Sequence, residues 1–376
     1  MKKTVMLTAA AFLVTATVLA GYLDPWKKEY AASIEDPRTR VIATAHLAPT
    51  PHNMQSHRFV LPKDSPDMFF MYIDNARLLP ETDPHNRQIL IGNGILLYYV
   101  TIAAEESGYV ADIVLLPQGE INSPEEMDTR PVAMVTLTRT GVQGNDLFDT
   151  IYKRHTNRMM YKNEPLPESL IRAIEDTSPP DSIRTVVYHK GEMVEKMQSI
   201  TAKGVHREAT TEGPMVETMS VFRFSKSQKE KYGYGLTLAS REKSKLTLGL
   251  MEFFASKLSI GWKESGETWI KAEIPALQNT PGFIVITTHS NDQKTHLNTG
   301  RAYGSVELAA AKKGYSVQPV MQTTQEYSEM ADLYREVHAI AGEGRHVAMI
   351  VRLGKAVDAV SEASPRIDVN RIVTIR

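Results

Sequence analysis

"GILLYYVTIAAEESGY" (94–109) and "GRAYGSVELAAAKKGY" (300–315) decide how this chain is built. Each begins with glycine, carries Ala-Ala nine positions on, and closes on Gly-Tyr in the same register. A second pair follows in the same order, "RPVAMVTLTR" (130–139) matching "RHVAMIVRLG" (345–354). An Ala-rich apolar run and then a β-rich run read as a helix followed by a strand. Their ordered recurrence reads as two copies of one unit, at a spacing far too long for a stacked solenoid. The fold class expected is α+β, duplicated in one chain as a pseudo-dimer. The run from Gly94 is apolar almost all round through Ala104, which suits a helix buried on several sides where two halves meet.

The 376 residues are 42% hydrophobic and 23% charged, the balance of a globular chain with room for two units of ordinary size. Basic and acidic residues are nearly equal, 43 against 44, and no long basic block is present, so no nucleic-acid partner is expected. The lack of cysteine excludes disulfides, thiolate metal sites and a cysteine nucleophile. At the N-terminus, "MKKTVMLTAAAFLVTATVLAG" (1–21) sets Lys2 and Lys3 before a stretch that stays uncharged to Leu23. That is the pattern of a cleaved export signal or, uncleaved, of a membrane anchor, since its length approaches the roughly 20 residues that cross a bilayer. Either reading puts the body of the protein in the periplasm or at the extracytoplasmic face of the inner membrane.

Within that frame the first half is expected over 35–150 and the second over 151–376. "DMFFMYIDN" and "PGFIVITTH" suit strands, and "PESLIRAIED" suits an amphipathic helix entered after Pro167. Residues from about 190 to 280 fit neither copy; they are rich in Lys, Glu and Met, include Trp262 and Trp269, and read as an insertion, a lid or a plain helical excursion. Nucleotide and hydrolase signatures are missing, for "IGNGILL" is not G-x-G-x-x-G and neither G-x-S-x-G nor a P-loop occurs. His52, His57 and His155 have no metal-ligand spacing, so no metal is expected. What stands out is "APTPHNMQSHRF" (48–59), which holds two carboxamides, Asn53 and Gln55, at the end of a Pro-bracketed turn. A carboxamide offers a donor and an acceptor without charge. Asn53 could equally cap the turn itself.

With two further stretches, this turn carries a resemblance. "APTPHNMQSHRF" resembles the A-P-S-x-x-N-x-Q-P-W-x-F element of the nitroreductase superfamily, with Thr50 for Ser and Ser56-His57 for Pro-Trp. "IYKRHTNRMMYKNEPLPESLIRAI" (151–174) is similar to that family's opening basic element, strand, Pro and helix. "RLGKAVDAVSEASPRIDVNRIV" (352–373) looks like its C-terminal strand with a phosphate-binding cation. Their order, with "RLLPETDPHNRQ" between them, points to the Acg-type branch, in which two nitroreductase halves are fused in one chain.

The resemblance implies a nitroreductase-like fold and an FMN cofactor held between the halves. Arg154, Thr156, Arg158 and Arg366 would grip the phosphate through charge-assisted bonds. Thr50, Asn53 and Gln55 would meet the ring, the two carboxamides reading its pyrimidine edge. Arg77 and Arg87 would line the flavin or pair with Asp74 and Asp83, and Arg154 and Arg158 could instead be solvated helix charges. The implied activity is an FMN-dependent oxidoreductase of nitroreductase type, a monomer as pseudo-dimer, passing electrons from NAD(P)H or another donor to a nitroaromatic, quinone or similar small-molecule acceptor. A flavin-binding or sequestering protein without turnover, and a scaffold that has lost FMN, stay open beside it.

Overall fold

The computed structural model describes residues 21–177, 182–258 and 260–376. The export signal or anchor read over residues 1–21 lies outside them but for Gly21. In chain order the elements are α1 (Lys28–Ala32), α2 (Pro37–Ala45), β1 (His57–Leu61), β2 (Met68–Ile73), α3 (Arg87–Glu106), β3 (Tyr109–Leu115), α4 (Pro124–Thr129), β4 (Ala133–Arg139) and α5 (Phe148–Lys153). There follow α6 (Glu168–Glu175), β5 (Ile183–Tyr188), α7 (Glu192–Thr210), α8 (Glu212–Ser220), α9 (Lys226–Tyr232), α10 (Lys245–Lys257) and α11 (Trp262–Gln278). The chain closes with β6 (Gly282–Thr288), α12 (Gln293–Lys312), β7 (Ser316–Pro319), α13 (Ala331–Ala341), β8 (His346–Gly354) and β9 (Val373–Ile375).

The repeat seen in the sequence recurs in the topology. One sheet has the order β3-β4-β2-β1-β9 and the other β5-β6-β8-β7. Matching β1 to β5, β2 to β6, β3 to β7 and β4 to β8 superposes the two orders, and every matched pair is antiparallel. The exception binds the halves together: β9, from the end of the chain, adds to the first sheet in parallel beside β1, with Val60 opposite Thr374. The same matching sets α3 against α12.

Both long helices begin before the glycines that mark the repeat. An expectation of a helix from Gly94 is corrected to a start at Arg87, because the Asp83 carboxylate accepts the Gln88 and Ile89 backbone N–H groups at 3.0 and 2.9 Å. In α12, Asp292 caps Thr295 N–H at 2.7 Å. Gly94 and Gly300 therefore lie inside helices, where glycine costs about 1 kcal/mol relative to Ala. Their reason is contact: a methyl on Gly94 would overlap the Leu297 carbonyl oxygen, and one on Gly300 the Ile91 carbonyl oxygen. α3 is long and apolar enough to cross a membrane by composition, but 78% of that window is buried against the rest of the chain. Its all-round apolarity is that of a helix packed between two halves.

The main core runs through both halves, from Val41, Phe59 and Phe69 through α3 to Leu297, Val306, Ile284 and Val351. A second cluster lies on the other face of the second sheet. There Met197, Ile200 and Val205 of α7 and Leu277 of α11 meet Phe283, Val285, Val347 and Ile350. β6 is buried on both faces as a result. The segment 190–280 falls between β5 and β6, where the first half has only a short loop between β1 and β2. Part of it, α7 and α11, is thus core-forming, while α8 to α10 run toward a cleft.

Candidate functional site

The turn from Thr50 to Gln55 is held in a demanding conformation. His52, Asn53 and Gln55 have φ of 45°, 55° and 50°, in the left-handed region that most side chains avoid. Thr50 fixes it, since its carbonyl accepts Asn53 N–H at 2.9 Å and its hydroxyl accepts Gln55 N–H at 2.9 Å. Gly92 of α3 lets the helix approach, because a methyl there would stand 2.7 Å from Pro51 Cδ. Backbone strain of this kind persists only where the surroundings over-determine it.

Those surroundings come from the distant end of the chain. Asn53 Nδ2 donates to the carbonyls of Gly235 and Pro365 at 3.1 and 3.0 Å, and Asn53 Oδ1 accepts from Arg366 Nη1 at 2.7 Å. Gln55 is 0% exposed; its Nε2 donates to the Gly233 and Pro365 carbonyls at 3.0 and 3.2 Å, and its Oε1 accepts Ile367 N–H at 3.0 Å. Gln55 is therefore spent on backbone and lines neither cavity described below. The expectation that it reads a ring edge is corrected: it ties the turn to the strap that leads into β9.

Beside the turn lie two adjoining cavities. The larger, of about 660 Å³, is walled by Pro51, His52, Ile91 and Ile95 on one side and by Met215, Phe222, Phe224, Phe254 and Trp269 of the 190–280 segment on the other. The smaller, of about 50 Å³, is lined by Asn53, Arg154, Thr156, Arg158, Arg366, Thr237, Ser240 and Ser364. Thr50, Thr156 and Arg158 belong to both. Of the nine residues singled out in the sequence, the structure brings Thr50, Asn53, Arg154, Thr156, Arg158 and Arg366 together here. Asn53 stands at the cationic recess rather than along the apolar cleft.

The charges in the recess are not balanced. Arg154 is buried with its Nε 2.7 Å from Glu307 Oε1, and Tyr99 donates to the other Glu307 oxygen at 3.0 Å. Arg366 donates to Asn53 and to the carbonyls of Leu47 and Pro365, and lies 4.7 Å over the Trp26 ring, but among the described residues no carboxylate pairs with it. Burial and then the neighbouring Arg154 lower the Arg366 guanidinium to about 9. The Arg158 side chain makes no hydrogen bond or ion pair among the described residues, and burial lowers its pKa against the pull of Glu273. Glu273 itself is occupied by Arg241, with Gln318 donating to its other oxygen at 2.5 Å. Nor does any hydrogen bond among the described residues engage the hydroxyls of Thr237, Ser240 or Ser364.

Arg77 and Arg87 stand elsewhere. Arg77 pairs with Asp74 at 2.9 Å and donates to the His57 carbonyl at 3.0 Å, the pairing alternative. Arg87 is buried and reaches across the halves to Glu326 at 3.3 Å and to the carbonyls of Ala348 and Thr324. The expected pairing with Asp83 does not form, because that carboxylate caps α3. Both arginines are braces, and the expectation that they line the site is corrected. The hydroxyls of Thr237, Ser240 and Ser364 were missed. Ser364 lies two residues before Arg366, but Thr237 and Ser240 sit in a segment with no match in the first half, so local spacing gave no sign of them.

His57, which stands where the resembled element has Trp, forms a buried pair with His46, the ring nitrogens 2.7 Å apart. Burial first holds both well below the usual histidine range, followed by Arg366 and Arg77 for His46 and by His46 itself for His57. Since His46 Nε2 faces the Ile367 carbonyl at 3.1 Å, the network assigns its proton there and makes His57 Nε2–H the donor to His46 Nδ1. Among the described residues no cluster of His, Asp or Glu could hold a metal.

A fused pair of half-sheets, with a strained carboxamide turn and a cationic recess at their junction, is the arrangement that the nitroreductase resemblance implies. No family model matches the sequence. The resemblance is to the nitroreductase superfamily and extends over most of the chain: 351 aligned residues are 22% identical to "Putative NAD(P)H nitroreductase acg" of Mycobacterium tuberculosis, spanning 89% of this chain and 94% of that one. Among solved structures, "a putative nitroreductase" from Anabaena variabilis aligns at 12% identity and TM-score 0.43, over 77% of this chain and 69% of its own. A nitroreductase with bound FMN from Desulfitobacterium hafniense aligns at 15% identity and TM-score 0.37, over 62% of this chain and 100% of its own.

Proposed function

We propose that this protein is an FMN-dependent oxidoreductase of nitroreductase type. The observation that carries the reading is a pair of guanidiniums without carboxylate partners among the described residues, half-buried Arg158 and buried Arg366, at the end of an apolar cleft. Two uncompensated cations suit a phosphate monoester, which carries about −1.5 to −2 charge near neutral pH. The free hydroxyls of Thr237, Ser240 and Ser364 add donors for its oxygens. A recess of about 50 Å³ is small beside the adjoining cleft and so fits a compact anionic group rather than a second ring. The adjoining 660 Å³ lies in the range of cofactor sites and is chiefly apolar, as a flat aromatic body requires.

When bound, FMN supplies the electron transfer and the protein supplies position and polarity. Arg158 and Arg366 would hold the phosphate, with Arg154 fixed against Glu307 as their support. Thr50 and the turn it braces would set the floor of the cleft, and α8 to α10 with Trp269 would form a lid that excludes water. We assign the halves 35–150 and 151–376 to the two sides of this site, with a reduced nicotinamide as donor and a nitroaromatic or quinone as acceptor.

The test is the absorption spectrum of the purified protein, followed by anaerobic addition of NADH or NADPH. A flavin spectrum that bleaches supports the oxidoreductase. A flavin that stays oxidised with every donor favours sequestration beneath the lid, and a colourless protein that cannot be reconstituted would sink the flavin reading altogether.

A further inference from the structure

α10 is attached to the body of the protein by a narrow stripe. Leu248 and Glu252 are its buried residues, and Leu246, Leu250, Met251, Phe253 and Phe254 stand exposed, followed by Leu258 and Ile260 beyond its end. Leu246 is 77% and Phe253 57% exposed, far beyond what a helix in a water-facing lid needs. Positions 246, 250, 253 and 254 follow helical spacing, so they form one continuous apolar face.

On α10 itself the exposed charges, Lys245 and Lys257, have one sign, while the acids Glu264 and Glu267 stand exposed beyond it on α11. The acid of α10, Glu252, is turned inward and held by Lys229 at 2.8 Å. Lys245, Lys257 and Lys263 flank the apolar residues, and among the described residues none of them is ion-paired. Lys263 lies 5.5 Å over the Trp262 ring at the same end. Leucines and phenylalanines on one side, lysines at the margins and a tryptophan at the boundary are the composition of a helix that lies in a lipid interface. Lysines at both ends of α10, with its one acid turned inward, suit anionic headgroups better than an apolar protein partner.

The path of the chain points the same way. Tyr22, at the start of the described residues, lies beneath Lys229, whose Nζ is 5.6 Å from the Tyr22 ring centroid and bridges to Glu252 of α10. The uncharged stretch that runs to Leu23 therefore joins the body beside α10.

We propose that the face of α10 formed by Leu246, Leu250, Phe253 and Phe254 docks in the surface of an anionic lipid membrane. Met251, Phe254, Leu258 and Ile260 also line the 660 Å³ cleft, so docking sets the mouth of the cleft against lipid. The proposal stands on the exposed face and does not require the flavin reading.

Because the chain has no cysteine, one can be placed and labelled uniquely. The full chain with Leu250→Cys, carrying an environment-sensitive fluorophore, is mixed with vesicles of phosphatidylcholine and phosphatidylglycerol; Val114→Cys on β3, also exposed, is the reference. The expected result is a blue shift and quenching by lipid-borne spin labels at Leu250→Cys and not at Val114→Cys. In the unlabelled chain, Leu250→Glu with Phe253→Glu should weaken partitioning by at least about tenfold, because two large apolar side chains leave the interface and two anions face the headgroups. No response at Leu250→Cys, or an equal response at both positions, would overturn the proposal. So would a probe already shifted without lipid, whether independent of protein concentration (the face covered by the chain itself) or dependent on it (a second copy).

Discussion

Gly94 and Gly300 touch where α3 crosses α12: a methyl on Gly94 would stand 3.0 Å from the Gly300 Cα, and one on Gly300 would stand 2.8 Å from the Gly94 Cα. These are the two residues that head the matching stretches of sequence, so the repeat meets itself at its own first position. Each of Gly94→Ala and Gly300→Ala should destabilise the fold by about 2 to 3 kcal/mol or more, because the obstructing atoms are backbone and the helices must part. Gly304→Ala is the contrast. Its methyl would meet Tyr98 Cδ1 and Cβ at 3.0 and 3.1 Å, contacts that a shift of a few tenths of an ångström relieves, and the helix-propensity gain of about 1 kcal/mol offsets the cost. Denaturant unfolding of the three variants checks this, and equal losses would show that the crossing is not tightly packed.

Arg158→Glu should abolish FMN retention while leaving the fold intact, since no partner among the described residues depends on that guanidinium. A lost charged hydrogen bond alone is worth about 1.5 to 3 kcal/mol, and the introduced anion repels the phosphate besides. Arg87→Met should do the reverse, lowering stability by breaking a buried brace to Glu326 and Ala348 while any folded protein keeps its flavin. Flavin content per chain and thermal midpoint, measured on both, separate the two roles. Unchanged flavin in Arg158→Glu would show that the recess is not an anion site.

The carboxamides should now part company. Gln55→Ala leaves the Ile367 N–H buried without an acceptor and should cost about 1 to 3 kcal/mol of stability, with the spectrum of bound flavin unmoved. Asn53→Ala frees Arg366 Nη1 from its 2.7 Å partner and should loosen flavin binding severalfold, with little change in spectrum, because the contact is at the cationic end. A spectral shift in Gln55→Ala would restore that residue to the ring.

How much of this was legible follows from the distance over which each residue acts. The duplication could be read because Gly94 and Gly300, with Ala-Ala nine positions on, answer to the same crossing, and tight packing leaves few substitutes. The cations Arg154, Arg158 and Arg366 could be read because a resembled pattern marks them locally. Gln55 could not, because its partners are the backbones of Gly233, Pro365 and Ile367, far off in sequence and invisible to any spacing rule. Arg87 failed for the same reason: an acid four positions before it made a better cap than a partner, and the true partner was Glu326. The 190–280 segment was legible as an addition but not as two parts, since the periodicity of α7 and α11 does not reveal that they cover a sheet.

Glu208 provides a pH test. It is fully buried beside the cleft, accepting from Thr218 at 3.2 Å and from Gln325 at 2.8 Å, and burial raises its carboxyl from 4.5 to about 7 in spite of those bonds. Between those values the folded chain keeps a proton that the unfolded chain releases, so stability falls as pH rises through the window and the whole penalty is present above 7. At about 1.4 kcal/mol per pH unit it is on the order of 3 kcal/mol. Glu208→Gln stays neutral, and the Gln325 Oε1, which has no partner among the described residues, can accept from it after an amide flip. The variant should match the parent near pH ~5 and exceed it in stability near pH ~8. A difference that does not change with pH would mean the carboxyl titrates normally.

The duplicated fold should hold one FMN per chain. A second site, related by the pseudo-two-fold, would need a basic motif ahead of β1 and a carboxamide turn ahead of β5. The arginines ahead of β1 among the described residues are Arg38 and Arg40, and both are spent; Lys27 and Lys28 pair with Asp24 and Asp149. Arg38 pairs with Asp36 at 2.8 Å and donates to the Pro62 and Ser65 carbonyls at 2.9 Å, while Arg40 donates to the Ile34 carbonyl at 2.9 and 2.7 Å. Neither is left over to meet an anion, in contrast to Arg158. Ahead of β5 the sequence is "IEDTSPPDS" (174–182), in which residues 178–181 lie outside the described ones, and it contains neither Asn nor Gln. Arg184, the nearest cation, is on β5 and exposed. The insertion breaks the symmetry as well, since it lies between β5 and β6 and has no counterpart between β1 and β2 to build a second cleft wall. Flavin released by denaturation and measured by absorbance against protein gives the ratio directly. Saturation near one FMN per chain in the parent, falling near zero in Arg158→Glu, ties the flavin to the recess of Arg154, Arg158 and Arg366, and a ratio near two would refute the single composite site.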